Sequence, residues 1–209
     1  MSELELSSRY INERIVDDAL VRDARQLTLE LGLPLPSAAA AAHLTFLAAA
    51  TGASTIIEIG TGAGVLTHAV WRGAPGATIT CIDAEPEYLG HARRLLISAG
   101  ARGASLRFIT GHPQDVLPRM TEGGYDLVVI GGDVAHIGAH LQHGLRLIRP
   151  GGTIVALGAL NGGKVASPAR RDALTSGLRA LYAEFDLQDD LRLSLLPLDG
   201  GILQLTKLR

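Results

Sequence analysis

Between Ser54 and Val65 the chain reads S-T-I-I-E-I-G-T-G-A-G-V, and no other stretch restricts the fold as much. Thr55, Ile56, Ile57 and Ile59 form a short β-branched run, which suits a strand buried on both faces. The run stops at Gly60, and Gly60, Gly62 and Gly64 fall within five residues. Glycine serves where the backbone takes positive φ or comes close to a ligand. Val65, Leu66, Ala69 and Val70 then read as the first turns of a helix. Strand, glycine turn and helix is the layout of a nucleotide-type site at the carboxyl edge of a parallel sheet. A tight turn with no ligand has the same local signature, so the glycines alone are weak evidence.

Three details narrow the ligand. Glu58, just before the glycines, repels phosphate but accepts hydrogen bonds from an amine or a hydroxyl. The glycine spacing is G-x-G-x-G, not the dinucleotide pattern G-x-G-x-x-G. Thr78–Ile82 reads as a second buried strand, and Asp83 ends it about 20 residues beyond the glycines, where an acid holds ribose hydroxyls. A cationic amino-acid part joined to a nucleoside satisfies all three. S-adenosylmethionine (SAM) fits better than NAD. Asp83 also suits the N-cap of the helix opened by Pro86, and both roles can hold together.

The 209 residues suit one domain with a real core, 1–209, in which 1–50 form an N-terminal helical arm. A net charge of −2 gives no reason to expect nucleic acid or an anionic membrane as partner. Cys81 stands alone, so a reducing cytoplasm is the expected location, and its isoleucine neighbours place it in the core. No charged-then-apolar leader is expected, and no apolar run reaches the roughly 18 residues of a membrane span. Residues 2–31 read as two polar helical segments, of which Ser2 and Glu3–Tyr10 suit a mobile arm, while Val16, Leu20, Ala24, Leu27 and Leu31 form a helical stripe. Gly32, Pro34 and Pro36 interrupt it before Ser37 caps a helix from Ala38 to Ala50.

Beyond Asp83, a helix over 86–99 leads to strand Leu106–Ile109. The loop Thr110–Asp115 returns to the same sheet edge, where His112, Pro113 and Gln114 can line an adenine pocket. Asp115 either accepts from the adenine amine or caps a helix over Val116–Met120. Strand Tyr125–Ile130 ends in Gly131-Gly132-Asp133, followed by a helix over 135–148. Arg149–Gly152 reads as a turn, Thr153–Leu157 as a fifth strand, and 158–168 as a flexible loop. A helix over 168–184 and a hairpin, Leu191–Leu196 with Ile202–Leu208, complete the chain.

Taken together, these pieces resemble the small class I SAM-dependent O-methyltransferases of the catechol and caffeoyl-CoA type, in their bacterial form. The matching segments are P-L-P-S-A-A-A at 34–40, E-I-G-T-G-A-G at 58–64, I-D-A-E-P-E at 82–87, G-H-P-Q-D-V-L-P at 111–118, Y-D-L-V-V-I at 125–130, L-I-R-P-G-G at 147–152 and L-P-L-D-G-G-I at 196–202. The resemblance implies an α/β, Rossmann-like fold: a seven-stranded, mostly parallel sheet with a C-terminal antiparallel hairpin and helices on both faces. It implies SAM held by Glu58, Gly60, Thr61, Gly62 and Gly64, with the ribose at Asp83 and Ala84. The adenine lies beside His112, Pro113 and Gln114, Asp133 borders the cofactor, and the protein is a homodimer acting on a small-molecule acceptor.

Catalysis is where this chain departs from the family. The family reads F-I-D-A-D-K where this chain reads V-I-G-G-D-V at 129–134. The metal-ligating aspartate falls on Gly131, the lysine on Val134, and the later Asp-Asn pair on Leu157 and Gly158. Asp133 alone cannot supply the oxygen-rich shell of magnesium, so no divalent metal is expected. His136, His140 and His143 lie along one side of a helix, and His136 is the best-placed general base, with Asp133 beside it. Solvent-facing histidine is the bland reading of each, His68 reads as structural, and Asn161 and Lys164 are candidate acceptor contacts. The expected function is metal-independent O-methylation of a small molecule. The alternative is an inactive SAM- or S-adenosylhomocysteine-binding protein or dimer partner. A dehydrogenase is disfavoured by Glu58 and the glycine spacing.

Overall fold

A computed structural model describes residues 3–208. In chain order the helices are α1 (Glu3–Arg14), α2 (Ala19–Glu30), α3 (Ala38–Ala50), α4 (Val65–Gly73), α5 (Pro86–Ser98), α6 (Pro113–Val116), α7 (Ile137–Leu147) and α8 (Ala173–Asp186). The strands are β1 (Thr55–Ile59), β2 (Thr78–Asp83), β3 (Leu106–Thr110), β4 (Tyr125–Ile130), β5 (Ile148–Leu157), β6 (Leu191–Leu196) and β7 (Ile202–Lys207).

They form one seven-stranded sheet in the order β3-β2-β1-β4-β5-β7-β6. Pairings from β3 through β5 are parallel, and β7 runs antiparallel to both β5 and β6. Alternation along β1 divides the core into two layers. Ile56 packs with Leu44 of α3, Leu66 and Val70 of α4 and Leu96 of α5. Ile57 and Ile59 face the other way, toward Ile137 and Leu141 of α7 and Leu178 and Phe185 of α8. Helices therefore cover both faces, which explains why the central strands are apolar throughout. The crossover connections bring the ends of β1 to β5 to one edge.

Several local expectations are corrected. α1 and α2 are the two helical segments expected, with Ser2 outside the described residues, but Val16 is no part of a buried stripe: it lies between α1 and α2 and is 84% exposed. Ser37 caps α3 as expected, its hydroxyl accepting from the Ala40 amide at 3.1 Å. Asp115 lies inside α6, whose cap position is His112, because Pro113 starts the helix three residues early. Arg149–Gly152 is a bulged lead-in to β5: Tyr125 pairs with Ile148, and the next pair is Leu127 with Thr153. The last long helix starts at Ala173, capped by Asp172, not at 168. Arg179 holds the preceding loop, donating to the carbonyls of Lys164, Val165, Ser167 and Arg170.

Asp126 pins the amino end of the sheet centre. Its Oδ2 accepts from the Ser54 amide at 2.6 Å, the Ser54 hydroxyl at 2.7 Å and the Thr55 amide at 2.9 Å, and Arg149 pairs with Oδ1. Burial pushes the carboxyl up, but these hydrogen bonds and Arg149 outweigh it and hold the group at about 2. A depressed folded-state value stabilises above the unfolded value of 3.8, and that stabilisation is lost as pH falls toward 2. Asp126→Asn is therefore expected to cost about 1–3 kcal/mol at neutral pH and to flatten the acid limb of the stability profile. Denaturant unfolding across acid pH checks both; an unchanged acid limb would show that Asp126 is not the group.

Candidate active site

Each strand from β1 to β5 delivers a loop to the carboxyl edge of the sheet, and the turn after β6 joins them because β6 runs in the same direction. Between these loops lies a cavity of about 700 Å³, within the roughly 300–1,000 Å³ of small-molecule sites. Its wall follows strand order. His112, Pro113 and Gln114 come from the loop after β3, Asp83 and Ala84 from β2, and Gly60–Ala63 from β1. Gly131–Val134 and His136 follow β4, Leu157 and Gly158 follow β5, and Asp199 and Gly200 come from the β6–β7 turn. Leu33–Pro36, between α2 and α3, form a strap along one side.

The glycine loop is shaped by close approach. The Gly60 amide donates to the Ile82 carbonyl at 2.9 Å, and the Gly131 amide to the Ile59 carbonyl at 2.8 Å, so both loops leave the sheet in register. Gly60 has φ +77°, and a Cβ there would stand 2.4 Å from the Gly131 carbonyl oxygen. Gly64 has a different duty: its Cβ would strike Ala92 Cα at 2.8 Å, so it lets α4 pack on α5 and lines no part of the cavity. Asp83 braces the loop from β2. Its Oδ2 accepts from the Gly62 amide at 2.9 Å and its Oδ1 from the Glu85 amide at 3.1 Å. Glu85, not Asp83, holds the cap position of α5.

Glu58 lies beneath this loop, not on the cavity wall. It is 1% exposed, shares its sheet face with Cys81 and Val129, and its Oε2 accepts from the Thr67 hydroxyl on α4. Oε1 is buried with no partner among the described residues. Burial pushes the carboxyl up to about 8 against the opposing hydrogen bonds of Thr67 and Thr61, and the charge of Asp83 adds to the rise. Glu58 is thus held protonated at neutral pH.

At the far end, Asp133 and His136 form a pair. His136 Nδ1 lies 2.6 Å from Asp133 Oδ2, and Oδ1 accepts from the Ala135 amide at 3.0 Å. Partial burial pushes Asp133 up, but the hydrogen bond and charge of His136 and the amide bond outweigh it and lower the carboxyl. His140 stands one helical turn further on, with the two rings 6.3 Å apart. It lines the cavity, is 3% exposed, and its Nδ1 is buried without a partner among the described residues. Burial lowers its pKa, so the ring is neutral.

A sequence model of the O-methyltransferase family matches residues 8–208. The chain belongs to the O-methyltransferase family. A curated relative from Mycobacterium sp. (strain JLS), provisionally named an O-methyltransferase, is 37% identical over 203 residues, covering 97% of this chain and 92% of that one. A crystal structure of a Corynebacterium glutamicum protein superposes with a TM-score of 0.91 at 30% identity, covering 100% of this chain and 98% of the other. The O-methyltransferase TomG from Streptomyces achromogenes, solved in complex with SAM, superposes at a TM-score of 0.86 over 100% of both chains; at 24% identity this shows the shared fold.

This O-methyltransferase lacks the donors of the metal site implied by the resemblance. A side chain at Gly131 would start 3.1 Å from the Gly60 carbonyl oxygen and 3.2 Å from Leu66 Cδ1, and one at Gly158 would start 2.7 Å from Val134 Cγ2. Leu157 presents hydrocarbon. The residues present do not fit a divalent cation, and among the described residues no three of His, Cys, Asp and Glu cluster as a metal site.

Thr61, Gly62, Asp83, Ala84, His112, Pro113, Gln114, Asp133 and His136 all reach the cavity as expected, with Gly60. Asn161 and Lys164 do not: Asn161 Nδ2 donates to Thr175 Oγ1 at 3.2 Å, and Lys164 is exposed on its loop. His68 is buried beside Trp71, a structural position. Tyr88, Thr28, the strap and Asp199 were not foreseen as lining residues. Tyr88 had a usable signal, one turn into the helix that follows Asp83.

Glu58 generates a prediction with a definite sign. Between its ordinary value of 4.5 and its native value of about 8, the folded protein binds a proton that the unfolded chain releases. Stability from this group therefore falls as pH rises through that window. Glu58→Gln keeps the shape and removes the titration. Thermal melting of the two proteins from about pH 5 to about pH 8 should show the steeper decline for the native sequence; parallel profiles would place the proton elsewhere.

Proposed function

We propose that this chain is a single-domain, SAM-dependent O-methyltransferase that methylates a hydroxyl of a small acceptor without a divalent metal. One observation carries the reading: the glycine turn and Asp83 open into the same cavity as the Asp133–His136 pair. The SAM in TomG and the S-adenosylhomocysteine in the Bacillus cereus O-methyltransferase structure support the choice of cofactor.

SAM supplies an electrophilic methyl group on a sulfonium. The chain supplies position and a proton acceptor. Gly60–Ala63 let the backbone come close to the amino-acid part, and no Cβ at Gly60 could be accommodated. Asp83 retains lone pairs beyond those engaged by Gly62 and Glu85, and these accept from ribose hydroxyls. His112, Pro113 and Gln114 flank the base. Glu58 supports the loop from below through Thr67.

Methyl transfer is an in-line displacement, so holding the acceptor oxygen against the methyl group provides much of the rate. The remaining task is removal of the hydroxyl proton. Asp133 fixes Nδ1 of His136 as the protonated nitrogen, which leaves Nε2 to take the proton, and it stabilises the resulting imidazolium. The lowered carboxyl of Asp133 keeps that counter-charge in place at neutral pH.

The active unit in this reading is a homodimer in the cytoplasm. Leu6, Tyr10 and Ile11 on α1 and Phe46 on α3 are exposed apolar side chains suited to a subunit contact, and the single cysteine is buried and free. Among the described residues no helix is long and apolar enough to cross a membrane.

Asp83→Asn should weaken SAM and S-adenosylhomocysteine binding by about tenfold or more in calorimetric titration; equal affinity removes Asp83 from the ribose role. His136→Ala should lower kcat by about 10²-fold or more, the usual range for a general base, with cofactor affinity retained. Turnover should survive EDTA, and restoration by magnesium of an EDTA-treated enzyme would overturn the metal-free assignment.

A further inference from the structure

The cavity wall has a one-sided charge. Its acidic side chains are Asp83, Asp133 and Asp199, and among the described residues no lysine or arginine lines it. Strand order divides these acids between two ends. Asp83, after β2, lies at the cofactor end and is engaged with the Gly62 and Glu85 amides. Asp133 is paired with His136. Asp199 lies at the opposite end, in the β6–β7 turn, beyond the loops after β4 and β5.

Asp199 is built into its position. Its backbone has φ +46°, a left-handed conformation that aspartate and asparagine tolerate better than other side chains. Its Oδ2 accepts from the Ser37 amide at 2.7 Å, which ties the hairpin turn to the end of the strap. Oδ1 has no hydrogen-bond partner among the described residues. One basic side chain touches the strap and another lies on the loop after β5, and neither lines the cavity. Arg25 donates to the Pro36 carbonyl at 2.5 Å and pairs with Asp17 at 2.6 Å. Lys164 is exposed and its charge acts on Asp172. Elsewhere the cavity wall includes the apolar side chains of Leu33, Pro34, Leu35, Pro36 and Leu157.

We propose that the methyl acceptor is an uncharged or cationic hydroxyl compound with an apolar body, that an amine on it is seated by Asp199, and that carboxylate- or phosphate-bearing acceptors are rejected. The inference rests on the methyl-transfer reading above and adds the substrate's charge. An ammonium group at the strap end meets a half-buried carboxylate with a free oxygen. An anion there meets Asp199 and Asp133 with no lysine or arginine on the wall to compensate, and unpaired like charge in a partly desolvated site is strongly disfavoured.

The test uses three phenols of matched size: tyramine, para-ethylphenol and para-hydroxyphenylacetate. Their dissociation constants are measured by calorimetry on the full chain saturated with S-adenosylhomocysteine. Tyramine should bind about tenfold or more tighter than para-hydroxyphenylacetate, with para-ethylphenol between them. Asp199→Asn keeps an oxygen for the Ser37 amide and suits the left-handed backbone, so the turn is retained, which its melting temperature will verify. This variant should abolish the advantage of tyramine over para-ethylphenol and leave para-ethylphenol binding unchanged. Equal or tighter binding of the anion, persistence of the tyramine advantage in the variant, or binding of none of the phenols to the loaded protein overturns the inference. Failure of S-adenosylhomocysteine itself to bind instead removes the methyl-transfer reading, and this inference falls with it.

Discussion

The close approach of Gly60 and Gly131 is the constraint on which the site depends. β1 and β4 are neighbours at the middle of the sheet, but β1 is also the strand from which the order turns, toward β2 and β3 on one side and β4 and β5 on the other. Loops leaving such a point diverge and open a crevice. Here the Gly131 amide still reaches the Ile59 carbonyl of β1, and the Gly60 amide reaches the Ile82 carbonyl of β2, before the loops part. A Cβ at Gly60 would stand 2.4 Å from the Gly131 carbonyl oxygen, and one at Gly131 would press on the Gly60 carbonyl oxygen at 3.1 Å. Backbone therefore forms this part of the cavity wall, and Asp133 and His136 reach the cavity from further along the loop after β4.

This arrangement also accounts for the unusual acid beneath it. Glu58 lies on the α4 side of β1, in a layer otherwise formed by Ile56, Cys81 and Val129. A charged carboxylate there would lose far more in desolvation than one hydrogen bond returns. Protonation resolves the conflict, and Thr67 anchors the side chain from the helix. The result is a polar group stored one residue from the glycine turn, covered by the loop that a cofactor would press upon.

Much of this was legible from the sequence because it is local. The β-branched run at 55–59, the glycine spacing, Asp83 and Ser37 each act through neighbours a few residues away, and the structure places them as expected. What was not legible depends on tertiary partners. Periodicity could not tell Val16 from Leu20, since both satisfy the same helical spacing and only the break between α1 and α2 leaves Val16 in solvent. Arg149–Gly152 has the composition of a turn, yet Arg149 is drawn to Asp126 on the neighbouring strand and the segment is absorbed into β5 as a bulge. Glu58 was legible as an acid beside the ligand loop, but not its direction, because which face β1 turns toward α4 is set by packing. Asp199 is separated from Ser37 by most of the chain, and no spacing rule connects a hairpin turn to a strap.

The two histidines at the acceptor end show how environment divides their roles. His140 is the more deeply placed and lines the same cavity, so position alone would favour it as the base. Taking up a proton, however, would leave two N–H groups to satisfy, and its Nδ1 is buried with no acceptor among the described residues. Protonated His140 would also carry charge 6.3 Å from the ring of His136. Burial accordingly holds it neutral. His136 has the opposite setting: Asp133 accepts from its Nδ1, and that bond strengthens when the ring becomes cationic. In the proposed mechanism His136, not His140, is therefore the group that takes the hydroxyl proton. His140 contributes by remaining uncharged, which keeps His136 free of a competing cation.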